Sequence, residues 1–427
     1  MSCNEWQKVK LGEVADILSG YAFKTKDFID EGIPVVKIKN IIPPNIDIND
    51  TQYVSNELYN EKIKFALNYN DVLISLNGSN INQLASAVGK IGRVRLKDKK
   101  LLLNQRVGKL YIVDEKRCNY DYLYYYLTQP EVRYNLAAMA GGSANQANIS
   151  PSQIKDIEIQ LPPLEEQEKI ANILSSLDDK IELNNEMNKT LEEMAQSIFK
   201  RWFVDFEFPN EDGEPYKSSG GEMVDSELGM IPKGWEVQCI GDIGNVITGK
   251  TPSAKVEGSY GDECNFITPR DITDSPIILN TERKLSSIGI NNLKKNLVCK
   301  NSIGVSCIGS NLGEVYITGE NSITNQQINT VVLDESHIYP YVYIYLKNMK
   351  NEFLNMAGGS AVPIINKTSF SEINILMPDM YILNKFVQST TCYFERIEEN
   401  LKENESLIAL RDSLFPKLMS GEIDINL

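Results

Sequence analysis

The chain is 427 residues long, 42% hydrophobic and 24% charged, with 58 acidic against 43 basic groups and a formal net charge of −15. That length can bury more than one core, and the composition is that of folded rather than disordered protein. Its apolar runs are only a few residues long, so no helix is expected to cross a membrane. The polar stretch Met1–Lys10, with no apolar stretch behind it, is expected to carry no secretory signal. Seven cysteines lie scattered without a C-x-x-C pair and read as reduced thiols of a cytoplasmic protein, neither a disulfide framework nor a zinc site. His337 is the single histidine, which argues against His-rich metal sites and His-based catalysis and leaves carboxylate chemistry open.

In chain order, the first elements have counterparts a little over half the chain later. Trp6 and "LGEVADILSG" (Leu11–Gly20) match Trp235 and "IGDIGNVITG" (Ile240–Gly249). "VVKIKNI" (Val35–Ile41) falls on "FITPRDI" (Phe266–Ile272), with Lys39 over Arg270. "SLNGSN" (Ser75–Asn80) falls on "SCIGSN" (Ser306–Asn311), and Asn104-Gln105 on Asn325-Gln326. The string AGGSA occurs at Ala140–Ala144 and again at Ala357–Ala361, and "ISPSQIKDIEIQLP" (Ile149–Pro162) falls on "INKTSFSEINILMP" (Ile365–Pro378). The offset drifts from 229 to 231 and then down to 216, as loop insertions produce, while the order is kept. The protein is two copies of one module.

Each copy closes with an alternating, strand-like stretch, a proline, and a long charged segment of helical character. Positions 170, 174, 177, 181, 184, 188, 191, 195, 198 and 202 step by four and three and carry an apolar heptad seam broken by Asn184 and Asn188. The second segment repeats the pattern less cleanly, with Thr390 and Arg411 on the seam and Asn400 and Asn404 at the matching positions. Two readings stay open for the asparagines. They face solvent on ordinary amphipathic helices, or the helices pair antiparallel and meet across Asn184, Asn188, Asn400 and Asn404, which penalises wrong registers. A helix over 164–203 spans about 60 Å at 1.5 Å per residue, enough for a rigid spacer.

Regional charge qualifies the overall acidity. Residues 1–160 carry 20 basic and 18 acidic groups, whereas 161–220 carry 6 and 14. Gly89–Lys109 packs eight basic residues, among them Lys90, Arg93 and Arg95, against one acid, a cluster that either contacts phosphates or is a solvated hairpin. The second module has no such stretch, so any basic surface there must be assembled by folding or supplied by a partner. The loops "LNGSN", "NQR", "IGSN" and "TNQQ" gather Asn, Gln and Ser, which pair with base edges and also form ordinary turns.

"LPPLEEQEKIANILSSLDDKIELNN" (Leu161–Asn185), "WFVDFEFP" (Trp202–Pro209), "LGMIPKGWEV" (Leu228–Val237), "GDIGNVITGKTPS" (Gly241–Ser253) and "SLFPKLMSGEID" (Ser413–Asp424) together resemble specificity subunits of type I restriction–modification enzymes. The likeness runs in order over essentially the whole chain. The second helix departs from it, opening "MPDMYILNKFVQST" (Met377–Thr390) without the PP-EQ pattern. The resemblance implies a mixed α/β fold, with two repeated α/β target-recognition domains separated by two long helices that form an antiparallel coiled coil. In this chain the parts fall at 1–160 (first recognition domain), 161–206 (first spacer helix), 207–230 (linker), 231–378 (second recognition domain) and 379–427 (second spacer helix and tail). It implies that each domain reads one half of a bipartite, asymmetric site in double-stranded DNA. The helices would set the gap and dock two methylation (M) subunits, with motor–nuclease (R) subunits completing the complex. S-adenosylmethionine, ATP and Mg²⁺ then belong to those partners, and this chain needs no cofactor, no metal and no membrane. Lys39, Asn77, Ser79, Asn80, Lys90, Arg93, Arg95, Asn104, Gln105 and Arg106 are expected at one half-site. Arg270, Ser310, Asn311, Asn325 and Gln326 are expected at the other.

Catalytic motifs are correspondingly absent or spurious. Gly244–Thr251 matches the phosphate-loop string G-x-x-x-x-G-K-[ST], but Pro252 follows at once and the other copy has "LSGYAF". Asp271 with Glu282-Arg283-Lys284 imitates a nuclease D…ExK, with Asn40 as its counterpart. No N-P-P-[YF] methyltransferase tetrapeptide occurs. The duplicated AGGSA is expected to make a tight structural turn, or to contact phosphate through its amides. A rival of another class is a two-module coiled-coil scaffold that binds protein partners without touching DNA, which net acidity favours and the basic run opposes.

Overall fold

The computed structural model describes residues 6–86, 88–143, 146–357, 364–423 and 425. The chain divides into two units, Met1–Asp179 with Ala409–Leu427, and Lys180–Ile408. The division cuts through both long helices, Leu164–Phe199 and Met380–Met419. The positions 160 and 378, where strand gives way to helix, are therefore not the edges of compact units, because the helices are built into the domain cores. Ile170, Leu174, Leu418 and Met419 are buried in the first core. Phe199, Phe386, Phe394 and Ile397 are buried in the second. Residues 207–230, expected as a linker, are mostly exposed but anchored at one point and closed by a hairpin. Phe208 is buried and stacks on Trp235 and Tyr216 at 4.9 and 4.6 Å between ring centroids, and Met223–Ser226 pairs with Gly229–Pro232. Aromatic pairs of this kind are worth about 0.5–1.5 kcal/mol each beyond the area they bury.

Within the first unit, six strands lie in the order Ala15–Ser19, Val107–Ile112, Val72–Ser75, Ile91–Arg93, Asn45–Ile46, Ile41–Ile42. A second sheet runs Gln52–Val54, Ile33–Val36, Leu101–Leu103, Ala66–Leu67. The second unit repeats both. One five-stranded sheet runs Gly244–Thr248, Ile328–Leu333, Ile303–Ser306, Val315–Thr318, Ile277–Ile278, and the other, also five-stranded, centres on Cys264–Ile267 beside Ser322–Thr324. Even the mixed pairings recur: Arg93 pairs parallel with Asn45, and Ile317 parallel with Ile277, in otherwise antiparallel surroundings. In each domain the first strand pairs with the last. Gln7–Lys10 meets Glu158–Leu161, and Glu236–Cys239 meets Asn374–Met377, both antiparallel. Along Glu158–Leu161 exposure alternates residue by residue, which is the two-residue period that marked this stretch as a strand.

The long helices form an antiparallel pair. In the second unit Asn184 Nδ2 donates to Asn404 Oδ1 at 2.9 Å, and Asn400 Nδ2 donates to Asn188 Oδ1 at 2.8 Å. Four residues forward on one helix correspond to four backward on the other. All four side chains are buried, as are Ala195, Phe386 and Ile397 along the same seam. The amides therefore pair with each other across the seam, although Asn400 Oδ1 is buried without a partner of its own. Asn404 Nδ2 also reaches Asn185 Oδ1, and Glu403 accepts from Asn184 at 2.9 Å and pairs with Lys180 at 3.0 Å. Thr390, polar on the seam, donates its hydroxyl to the Phe386 carbonyl one turn back. Within the first unit Arg411, the other irregular seam residue, meets Asp178 at 2.8 Å.

Replacing Asn400 by Leu strands the buried Asn188 carbonyl, which costs about 1–3 kcal/mol. The Asn188→Leu/Asn400→Leu double variant is expected to recover most of that loss. Chemical denaturation of the four proteins of the cycle measures the coupling, and simple additivity would show that the amides do not act as a pair.

Candidate nucleic-acid interface

In both domains the site is built on one turn that bridges the two sheets. Asn104 closes it by accepting the amide of Val107 on its carbonyl (2.9 Å) and that of Arg106 on its side chain (3.2 Å). Asn325 repeats this with Ile328 (3.2 Å) and Gln327 (3.0 Å). The amides of Asn104 and Asn325 reach across to the carbonyls of Val36 and Ile267, which brings the 37–40 and 268–271 loops alongside. Those loops are closed alike, Asn40 Oδ1 accepting from Lys37 N and Asp271 Oδ2 from Thr268 N. On the other side Gly20 N bonds Val107 O, and Gly249 N bonds Ile328 O. A Cβ at Gly20 would stand 2.3 Å from Leu103 O, and one at Gly249 would stand 2.1 Å from Asn325 O, so only glycine fits. Finally Leu76 N bonds Arg106 O and Ile149 N bonds Leu76 O, as Cys307 N bonds Gln327 O and Ile365 N bonds Cys307 O. Five loops thus converge in each domain, held by the same backbone bonds.

The residues expected at the half-sites sort into framework and surface. Asn104 and Asn325 are turn caps, the latter buried. Ser79 is also buried, with its hydroxyl on Ser86 at 2.8 Å, and Asn77 bonds Asn148. Asn80 caps its own loop at Asn82 N, and Asn311 donates to Pro269 O at 2.9 Å, tying the 309–311 loop to the one that carries Arg270. Exposed on this frame are Gln105 and Arg106 in the first domain and Arg270, Ser310 and Gln326 in the second. Lys39 is exposed too and pairs with Asp50 at 2.6 Å. Lys90 is half-buried, and burial first, then the nearby Arg133, holds its pKa below the ordinary lysine value.

Two expected contacts are overturned by burial. The Arg93 side chain is only 2% exposed, pairs with Asp121 at 2.8 Å and lies over the Tyr124 ring at 3.9 Å. Arg95, with its side chain 11% exposed, bonds Asn70 and Tyr69 and pairs with Asp179 at 3.0 Å. Lys109, from the same run, pairs with Asp71 at 2.6 Å. Three of the eight cations of the run thus hold the first domain together and onto the first helix, where Asp178 also accepts from the Tyr125 hydroxyl at 2.6 Å, while Lys97, Lys99, Lys100 and Arg106 stay exposed. In the second unit Glu192 on the first helix accepts from Tyr343 (2.6 Å) and Lys347. Glu398 on the second helix pairs with Lys300 and Lys402, both at 2.6 Å. Burial and then the Glu192 charge push the Tyr343 phenol well above its usual range. For Glu398 burial acts upward, but the two lysine bonds outweigh it and hold the carboxyl below the ordinary value.

The second domain assembles its cations from separate loops. Exposed Lys250, whose amide bonds Thr324 O at 2.8 Å, and Arg270 flank the Asn325–Gln327 turn. Lys250, Thr251 and, in the first domain, Tyr21 with Lys62 over its ring (4.6 Å) escaped the sequence reading. The alignment of "LSGYAF" with "ITGKTP" carried the signal, but there it served only to reject a phosphate loop. That rejection has a structural reason: Gly244–Thr248 is a strand, and the amides of Gly249 and Lys250 are spent on carbonyls. The Asp271 carboxylate is similarly engaged, by Thr268 N and Oγ1 and by Glu282 N. Of the AGGSA strings, Gly141–Ser143 pair antiparallel with Gln146–Asn148, whereas Ala144 and residues 358–361 lie outside the described residues. Among the described residues no helix is long and apolar enough to cross a membrane.

Residues 4–193 and 232–404 each match the family described as type I restriction modification DNA specificity domain. The chain is 33% identical over 326 residues to the type I restriction enzyme HindI specificity subunit of Haemophilus influenzae, covering 64% of this chain and 71% of that one. It is 28% identical over 349 residues to the MjaIX specificity subunit of Methanocaldococcus jannaschii, covering 80% and 77%. The fold is shared with the crystal structure of a type I restriction–modification S subunit from M. genitalium, at a TM-score of 0.57 and 18% identity over 97% and 96% of the two chains.

Two outcomes follow from this geometry. Gly249→Ala forces a methyl group against the Asn325 carbonyl, and a loss of about 1–3 kcal/mol in denaturant unfolding is expected. No loss would show that the close approach is not kept. Because the Glu398 pKa is depressed on folding, its stabilisation is complete above the unfolded carboxylate value of about 4.3 and disappears as pH falls through the lower folded value. The difference in unfolding midpoint between the parent and Glu398→Gln should therefore narrow from pH 7 towards pH 3, and a pH-independent difference would contradict the assignment.

Proposed function

The chain belongs to the type I restriction–modification DNA specificity family, and from that premise we propose that each α/β domain reads one half of a bipartite, asymmetric site in double-stranded DNA through its five-loop face. It is the specificity subunit of a restriction–modification complex and not an enzyme. Two methylation subunits dock on it and motor–nuclease subunits complete the assembly. Methyl transfer from S-adenosylmethionine and Mg²⁺-dependent ATP hydrolysis reside in those partners. The long helices set the number of base pairs between the halves.

The observation that carries this reading is one backbone frame, made twice, with different side chains on its exposed positions. A frame reproduced bond for bond, from Gly20 to Val107 and from Gly249 to Ile328, is what two readers of different short sequences need. The exposed Gln, Arg, Lys and Ser groups are donors and acceptors suited to base edges and phosphates. The overall charge of −15 does not oppose DNA binding, because acids such as Asp178, Asp179, Glu192 and Glu398 lie on the helices, where they hold the domains.

The test is methylation mapping. The chain is expressed with its cognate methylation subunit in cells without other modification systems, and methylated adenines are located across the genome. One split motif, two short halves around an unspecific gap, is expected. An assembled and competent complex that leaves no new methylation would favour a scaffold for proteins. Binding of the complex to the mapped duplex should also weaken steeply with salt, as counterion release requires, whereas a salt-indifferent affinity would argue against a phosphate-tracking face.

A further inference from the structure

We propose that the two domains read their half-sites with different positions of the one shared turn: Arg106 in the first domain, and Gln326, aimed by Thr251, in the second. The inference rests on the DNA-reading assignment above.

Residues that both domains hold at the same place and in the same bonds cannot distinguish two different sequences. Asn104 and Asn325 are of that kind, since each caps its turn. The turns differ at the next two positions. Arg106 is exposed and its guanidinium has no partner among the described residues, although its backbone is fixed by the bond from Leu76 N to its carbonyl. It is a rigidly based fork with its donors free. Its counterpart Gln327 is half-buried and folds back, its Oε1 accepting from Asn325 Nδ2 at 3.0 Å. That side chain is spent on the frame.

The shared glutamine behaves in the opposite way. The Gln105 side chain is exposed with no partner among the described residues, and the residue two beyond the Gly20 close approach is Ala22, which has no polar group to hold it. In the second domain the residue two beyond Gly249 is Thr251, and its hydroxyl donates to Gln326 Oε1. The bond fixes the amide plane while leaving both N–H donors and one oxygen lone pair. An amide presented in that state matches the N6 and N7 edge of adenine, and the rotamer freedom that binding would otherwise remove is already lost. Arg106 matches the O6 and N7 edge of guanine. The first domain therefore selects a guanine through Arg106, and the second an adenine through Gln326.

The experiment uses the assembled complex with its methylation subunit. The motif is mapped for the parent, and methylation rates are then measured on duplexes in which each base pair of the motif is replaced in turn. Arg106→Lys keeps the charge and loses the fork. It should lower discrimination at one guanine of one half by about tenfold or more and leave the other half untouched. Unchanged stringency would make Arg106 a phosphate contact and overturn its assignment. Thr251→Ala, which copies Ala22, should relax one adenine in the other half, and Thr251→Ser, which keeps the hydroxyl, should restore it. Unchanged stringency in Thr251→Ala, or both halves relaxing together, would overturn the proposal. A parent complex that is competent yet has no split motif defeats the DNA-reading assignment itself, whereas a parent motif indifferent to these variants defeats only this inference.

Discussion

The paired asparagines of the helix seam are the constraint on which the second unit depends. Asn184 with Asn404 and Asn188 with Asn400 admit one register, since any slip buries four amides against apolar side chains. That register places Glu192 of the first helix and Glu398 of the second, and the α/β domain is tied to both, through Tyr343 and Lys347 to one and Lys300 to the other. Helix register and domain seat thus determine each other. A seam of leucines alone would bury more apolar area and would hold neither, because apolar contacts are nearly indifferent to a shift by one heptad.

The distribution of charge follows from the same arrangement. Most exposed ion pairs contribute little, but a carboxylate such as Glu192, buried beneath a tyrosine hydroxyl and a lysine, is costly to leave unpaired and so specifies its neighbours. The acidity of the helices is a docking code read by cations of the domains. This also accounts for the basic run of the first domain, where Arg93, Arg95 and Lys109 are turned to internal acids. The cations left at the surface are Lys97, Lys99, Lys100 and Arg106 of that run, together with groups delivered by separate loops. In the second domain Lys250 and Arg270, twenty positions apart in the chain, flank a single turn.

Duplication with divergence separates a shared frame from a divergent surface. The glycines at 20 and 249 are shared because a backbone carbonyl passes where a Cβ would be, and the asparagines at 104 and 325 because their side chains close the turn. Ala22 against Thr251, and Arg106 opposite Gln327, sit on that frame, and of these only Gln327 bonds back to it, through Asn325. Such positions can change chemistry at little cost to stability, which is the property a specificity surface requires.

By itself the sequence determined the duplication, the α/β class, the closing strand of each module, the heptad seam with its four asparagines, and the family. These are properties of local period and of order along the chain: the alternation in Glu158–Leu161 and the four-three spacing from Ile170 onward need no tertiary information. Only the tertiary structure decided which polar residues face outward. Arg93 and Arg106 stand in one basic run, yet one is buried under Tyr124 and the other is exposed on a turn, because strand pairing and helix docking assign burial from residues far away in sequence. It decided too that the 207–230 segment is anchored on the second core, through Phe208 against Trp235, and that both long helices belong to the domain cores. Burial is a property of what folds against a residue, and no run of charges or spacing of apolar positions contains it.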